Sequence, residues 1–339
     1  MRKAKSSRRD PARSRAGYHR ECAWVSLPVA DPGGVAIFTF AHLSDLHATP
    51  VAPRGLGPLA SKRLLGWLSW RLRRSRSHRP EVLEALIGDL REMRPDQVVI
   101  TGDLTNISLP SEFPLALEWL QRIGSPDRVS AVPGNHDAYV GVPREISWDL
   151  WSEYLRSDPV PDAGETAPLG FPSLRVRGPL AIVGLNSALP TAPFVASGAL
   201  GFEQLERLEK LLAELARGHH FRLLLIHHPP LRGELSRRRS LDDAEALAAV
   251  LSRTGADLVV HGHLHRTRIG TMPGPSGPIP VVGVRSASDQ GSKPGKRACY
   301  HLFRLHEQAS DGGRRRYRIE LCTRAFGDGG FSESSARFL

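Results

Sequence analysis

The chain has 339 residues, 40% of them hydrophobic, enough to fill one large α/β core, and its three cysteines are too few and too scattered for a disulfide framework or a paired-cysteine zinc site. No apolar run approaches the roughly 20 residues a spanning helix requires, and the basic N-terminal segment lacks the apolar stretch of a secretory signal. A net charge of +11 points to anionic partners such as nucleic acid, phosphorylated substrates or lipid headgroups, and the cysteine usage points to a reducing, cytoplasmic compartment.

In chain order, residues 1–36 read as a basic, disordered tail. Short apolar runs then alternate with helical patterns. "AIFTF", "QVVI", "RVSAV", "LAIVGL", "RLLLI" and "DLVV" read as buried strands, while "PEVLEALIGDLREM", "FEQLERLEKLLAELA" and "LDDAEALAAVLSR" carry apolar residues at helical spacing. This alternation predicts an α/β sheet flanked by helices, and the absence of a linker makes 37–326 one domain. Toward its end, "IPVVGVRSA", "ACYHLFRLH" and "RRYRIELCTRAF" read as three strands without helices, the antiparallel part of a second sheet, with 327–339 as a C-terminal tail.

The strand runs end in chemically similar residues. Asp45 and His47 come after the first, Asp103 after the second, and Asn135, His136 and Asp137 after the third. His227 and His228 come after "RLLLI", and "DLVV" runs into His261, His263 and His265. Ligands of open α/β sheets gather at the carboxyl ends of strands, so five strand ends deliver imidazoles and carboxylates to one edge. Each alone has a plain explanation, such as a Gly-Asp turn or a strand stopped by proline. Together they predict a metal site. If the last run stays extended, His263 and His265 share a face, and Gly262 turns His261 away.

The ordered set "DLH", "GDLTN", "GNHD", "HHPP" and "GHLH" resembles the blocks of the calcineurin-like metallophosphoesterase superfamily over residues 37 to about 290. The resemblance implies a four-layer α/β/β/α sandwich of two mixed sheets. It implies that Asp45, His47 and His265 hold one divalent ion, that Asn135, His227 and His263 hold another, and that Asp103 bridges them. Two such ions roughly 3.5–4 Å apart clamp a phosphoryl group and yield a bridging hydroxide that attacks phosphorus. Imidazole ligands favour Mn, Fe or Zn over Ca. His136 is then the catalytic donor to the leaving oxygen, with Asp137 orienting it or capping the following turn.

Residues 54–79 form an insertion between the first two blocks. No Asp or Glu occurs from Ala48 to Pro80, and 54–80 holds eight Lys or Arg. In a helix, Leu64, Leu65, Trp67, Leu68 and Leu72 fall on one broad arc with most cations elsewhere. Such a segment either packs on the body or meets an anionic membrane surface, peripherally on the inner face; nucleic acid is the weaker candidate. The expected activity is therefore a dinuclear metal-dependent phosphodiesterase of the branch containing cyclic nucleotide phosphodiesterases, acting on a phosphorylated small molecule or lipid. The competing expectations are a membrane-associated pyrophosphatase acting on a lipid-linked diphosphate such as UDP-diacylglucosamine, a nuclease, and a non-catalytic scaffold.

Overall fold

The computed structural model describes residues 36–339 apart from 54, 56, 58–60, 160–168, 232, 234–235 and 309–315. The expected basic tail over 1–36 lies outside the described residues, save Ala36, which opens the first strand. The first sheet is built from β1 (Ala36–Leu43), β2 (Gln97–Ile100) and β3 (Val129–Ala131), the second from β4 (Ser173–Arg177), β5 (Leu180–Gly184), β6 (Phe221–Ile226), β7 (Leu258–His261), β8 (Arg268–Met272) and β9 (Ile279–Gly283). Strands β10 (Cys299–Gln308), β11 (Arg316–Gly327) and β12 (Gly330–Phe338) return to the first sheet, giving the orders β12-β11-β10-β1-β2-β3 and β4-β5-β6-β7-β9-β8. Both sheets are mixed, with β1-β2-β3 and β5-β6-β7-β9 running parallel.

Of the helices, α1 (Arg63–Ser69), a π-helical turn over Trp70–Arg74 and α2 (Ser75–Ser77) make up the insertion. Next, α3 (Pro80–Met93), α4 (Glu112–Ile123) and α5 (Ser152–Leu155) cover the first sheet, and α6 (Phe202–Leu215) and α7 (Ala244–Thr254) the second. Among the described residues, no helix is long and apolar enough to cross a membrane.

The apolar strand runs have two buried faces, and side-chain alternation divides them. In β6, Leu223 and Leu225 enter the core between the sheets, where they join Phe40, Val99, Val260 and Phe303. Leu224 and Ile226 face α6 and α7, against Leu208 and Leu247. In β2, Val98 and Ile100 meet Leu86 and Phe113 of α3 and α4. Three apolar layers thus separate four layers of secondary structure, as the α/β/β/α expectation requires.

Two expectations need correction. The three terminal runs do not form a separate antiparallel part of the second sheet: β9 pairs parallel to β7 in that sheet, while β10 and β11 extend the first from β1. Apolarity marks a strand as buried without saying which sheet buries it. Residues 327–339 are not a tail either. The two-residue Asp328–Gly329 loop closes a hairpin that lays β12 along β11, from Gly327 opposite Gly330 to Glu320 opposite Phe338.

Candidate metal centre

The parallel strands of the two sheets bring their carboxyl ends to one cleft of about 640 Å³, lined by Arg74, His78, Asp103, Asn135, His136, Arg239, His263 and His265 among others. Asp45 and His47 leave β1, Asp103 leaves β2 and Asn135 leaves β3; His227 leaves β6, and His263 and His265 leave β7. Backbone bonds lock the loops together: Asp45 N–H to Gly102 O at 2.9 Å, His47 N–H to Asp103 O at 3.2 Å, and Gly262 N–H to His227 O at 3.2 Å. Ring and carboxylate are buried at every expected ligand except His265, which is partly exposed.

The atoms of the expected ligands converge. Nε2 of His265 lies 3.2 Å from Asp45 Oδ1, and Nε2 of His47 lies 3.9 Å from that oxygen and 3.5 Å from Asp103 Oδ2. On the other side, His227 Nε2 is 3.4 Å from Asp103 Oδ2 and 3.0 Å from Asn135 Oδ1. His263 Nδ1 is 2.8 Å from Asn135 Oδ1 and 3.3 Å from His227 Nε2. Asp103 therefore sits between the two groups. Ligand atoms bonded to one ion at about 2.1 Å stand about 3 to 3.5 Å apart, and the separations here, 2.8 to 3.9 Å, bracket that range.

Proton accounting shows that the residues fit a cation. His47 Nδ1–H donates to Thr105 O at 2.9 Å and His227 Nδ1–H to Thr101 O at 2.6 Å. Each ring then aims a bare Nε2 lone pair at a carboxylate oxygen, which is repulsive until a positive charge enters. Asp45 Oδ1 and His47 Nε2 are buried with no hydrogen-bond partner. In a protein without metal a proton takes that place at His227. Burial works against charging its imidazole, yet Asp103 and Asp45 carry it up to about 9. His47 is held well below the ordinary histidine value by burial and by the neighbouring His78, His136 and Arg74.

Backbone strain gathers at the same points. Asp45, His47, Asp103, His263 and His265 all have positive φ, between 44° and 68°, which costs a non-glycine residue about 1–3 kcal/mol. This corrects the extended reading of the last run. β7 ends at His261, and His263 and His265 reach the cluster from a bent loop in which Leu264 N–H bonds Gly262 O. Gly262 is needed for close approach, because a Cβ there would stand 2.6 Å from Asp45 Oδ2. His261 stays in the core, with Nδ1 on Gly262 O at 3.0 Å, and His228 lies behind the ligands with Nδ1 on Ser187 Oγ at 2.7 Å.

The hydrogen bonds of the two expected catalytic groups differ from the orienting pair that the sequence suggests. His136 donates its backbone N–H to Asp103 Oδ1 at 2.7 Å, and its ring Nδ1–H to Asn106 O. Its Nε2 accepts from Arg74 Nη1 at 2.8 Å, so the ring has no N–H left for the cleft. Burial and the Arg74 guanidinium drop its pKa to about 3, which keeps it neutral. Asp137 does not orient His136. Its carboxylate accepts from the N–H groups of Gly134, Leu104 and Thr105 and from Thr105 Oγ1, clamping the β2 and β3 loops. Burial and the neighbouring Asp103 push it up to about 7.

Sequence reasoning missed Arg74 and His78. Arg74 ends the π-helical turn and reaches His136, while His78 packs edge-on at 4.8 Å against His47 and bonds Ser288 Oγ. Arg74 is one cation among eight in its segment, and nothing in the adjoining sequence distinguishes it. The insertion also orients its apolar residues differently. Trp67 and Trp70 turn inward onto Val51, Ile107, Leu109 and Tyr139, while Leu64, Leu65, Leu68 and Leu72 face solvent.

A calcineurin-like phosphoesterase model matches residues 38–267, which includes every expected ligand. The chain belongs to that family. It is 26% identical over 188 residues to a Synechococcus sp. protein named a probable cyclic nucleotide phosphodiesterase, covering 55% of this chain and 64% of the relative. It is 30% identical over 178 residues to an Arcobacter nitrofigilis protein named a probable glycerophosphodiester phosphodiesterase, covering 51% and 58%. The matches thus span less than two thirds of either relative. A dimetal phosphatase from Danio rerio shares the fold, with a TM-score of 0.55, 15% identity and coverage of 90% of this chain and 99% of that one.

Proposed function

We propose that this calcineurin-like phosphoesterase hydrolyses phosphodiesters with two divalent ions, Asp45, His47 and His265 holding one, Asn135, His227 and His263 the other, and Asp103 both. The observation that carries this reading is the Asp103 carboxylate, 3.5 Å and 3.4 Å from the Nε2 atoms of His47 and His227. The ions supply Lewis acidity and a readily deprotonated water. The protein supplies placement. Thr105 O and Thr101 O hold the His47 and His227 rings by their Nδ1–H groups, so that only Nε2 can ligate. Asp137 keeps the two carboxylate- and amide-bearing loops in contact. Arg74 spends Nη1 on His136 and has guanidinium donors left to meet non-bridging phosphoryl oxygens.

Both named relatives are phosphodiesterases by name, which supports a diester as the substrate class over a monoester. The test is hydrolysis of bis(p-nitrophenyl) phosphate by metal-free protein reloaded with Mn, Fe or Zn. Turnover that needs metal and is lost in Asp103→Ala supports the reading. Loaded protein that hydrolyses neither diesters, monoesters nor diphosphates overturns it.

A further inference from the structure

The strongest feature the metal chemistry leaves unexplained is the outer surface of the insertion. Leu64 (44%), Leu65 (40%), Leu68 (41%) and Leu72 (68%) are all substantially exposed, and helix α1 contributes no buried residue. At about 100° per residue, Leu64, Leu65 and Leu68 share one arc of α1. A second apolar tip is fastened to the start of this helix. Lys62 Nζ donates to Thr191 Oγ1 at 2.8 Å and to Val195 O at 3.1 Å, gripping the turn that presents Phe194, 76% exposed and at φ 63°. Among the described residues, five of the nine exposed large hydrophobic residues thus lie on two tethered segments.

Cations border them. Arg71 and Arg76 are exposed on the insertion, and the Arg237–Arg239 turn is tied to the Phe194 loop by Ala196 N–H on Arg238 O at 2.7 Å. No carboxylate interrupts the chain from Ala48 to Pro80. The same segments border the metal cleft, whose walls include Arg74, Ala196 and Arg239.

We infer that this face docks on an anionic lipid bilayer, the leucines and Phe194 entering the headgroup region and the arginines meeting lipid phosphates. The charge pattern selects this occupant. A second copy of the chain would bring its own arginines against these, a like-charge contact that costs affinity, whereas an anionic bilayer offers both an apolar interior and counter-charge. Docked in this way, the mouth of the cleft opens at the membrane surface. The inference stands on the exposed face and is independent of which phosphoester is cleaved.

The test is co-sedimentation of the full chain with phosphatidylcholine vesicles and with vesicles containing about a third phosphatidylglycerol, alongside the double variant Leu68→Glu/Leu72→Glu and the single variant Phe194→Glu. The wild-type chain is expected to bind the anionic vesicles at least tenfold more tightly than the neutral ones. The double variant is expected to lose at least tenfold in that binding, with circular dichroism, metal content and diester turnover in solution unchanged. Wild-type protein that stays in the supernatant overturns the inference, as does binding indifferent to all three substitutions. A stable dimer by light scattering that the Leu→Glu variant dissolves also overturns it, by assigning the face to a second copy. Phe194→Glu, in a loop outside the helix, reports on docking even if the double variant misfolds.

Discussion

Two regions border one cleft and are built on opposite terms. The loops that leave β1, β2, β3, β6 and β7 carry buried polar groups, positive φ at five positions and lone pairs aimed at one another. The insertion holds Leu64, Leu65, Leu68 and Leu72 partly or largely exposed and places Arg74 in the cleft. In the loops, polar groups are buried at a cost that a cation offsets; in the insertion, apolar groups are exposed at a cost that another surface would offset. Each region carries a cost of its own kind, and a different kind of partner, a cation in one case and an apolar surface in the other, would offset it.

The largest effect expected is at the point where the loops meet. Asp103→Ala removes the carboxylate placed between His47 and His227. As the shared ligand proposed above, it would be worth several kcal/mol of charge stabilisation, so its loss is expected to cut diester turnover by about 1,000-fold or more, with less metal bound per chain by elemental analysis. An Asp103→Ala protein that retains both metal and turnover breaks the comparison, because the buried polar loops would then not be a ligand set.

Arg74 is where the two regions touch, and its removal is expected to have the next largest effect. Arg74→Ala takes away a donor in the cleft without touching a ligand, so turnover is expected to fall about 100-fold while metal content stays at the wild-type level. Arg74→Lys keeps the charge but not the planar fork and is expected to recover only part of the loss. Unchanged kinetics in Arg74→Ala would make the insertion a bystander to chemistry.

Metal also links the loops to stability. Ions that bind only the folded cluster stabilise it by about 2.7 kcal/mol at a hundredfold excess over Kd, so chelation is expected to lower Tm by roughly 5 °C, reversibly on adding Mn. A Tm insensitive to chelation would mean that the strained loops hold their shape without a cation. His227 predicts the protein's compensation: its imidazole, lifted to about 9 against Asp103, is protonated in metal-free protein across neutral pH.

The loops that converge on the cleft are legible in the sequence because their residue types are unusual and each sits immediately after an apolar strand run. Asp45, His47, Asp103, Asn135, His227, His263 and His265 all meet in the cleft region. How they get there is not legible. Strand alternation suggests an extended path for His263 and His265, whereas a bent, left-handed loop delivers them, and only Gly262 hints at it. The roles expected of His136 and Asp137 rest on their position beside Asn135, but their hydrogen bonds depend on Asn106, Arg74 and Thr105 from other segments. In the insertion, helical periodicity groups leucines with tryptophans. Which side faces inward depends on the apolar floor of Val51, Ile107 and Leu109, and no local pattern encodes that floor.

The smallest expected effect is also the sharpest check on the insertion. Leu72→Ala is expected to change the free energy of unfolding by no more than about 0.5 kcal/mol and Leu68→Ala by no more than about 1 kcal/mol, since side chains 68% and 41% exposed give up little burial by truncation and alanine favours helix. Leu83→Ala in α3 is the control. That side chain is fully buried with Leu86 and Phe113, and its truncation is expected to cost about 2–5 kcal/mol. Chemical denaturation of the three variants compares the two regions directly. A cost near 2 kcal/mol at Leu68 or Leu72, the lower end of the buried-leucine range, would mean that these side chains are packed in the free protein, leaving no apolar face for a membrane to cover. A negligible cost means that packing within the chain does not account for the four exposed leucines beside the cleft, and leaves that face open to the surface inferred above.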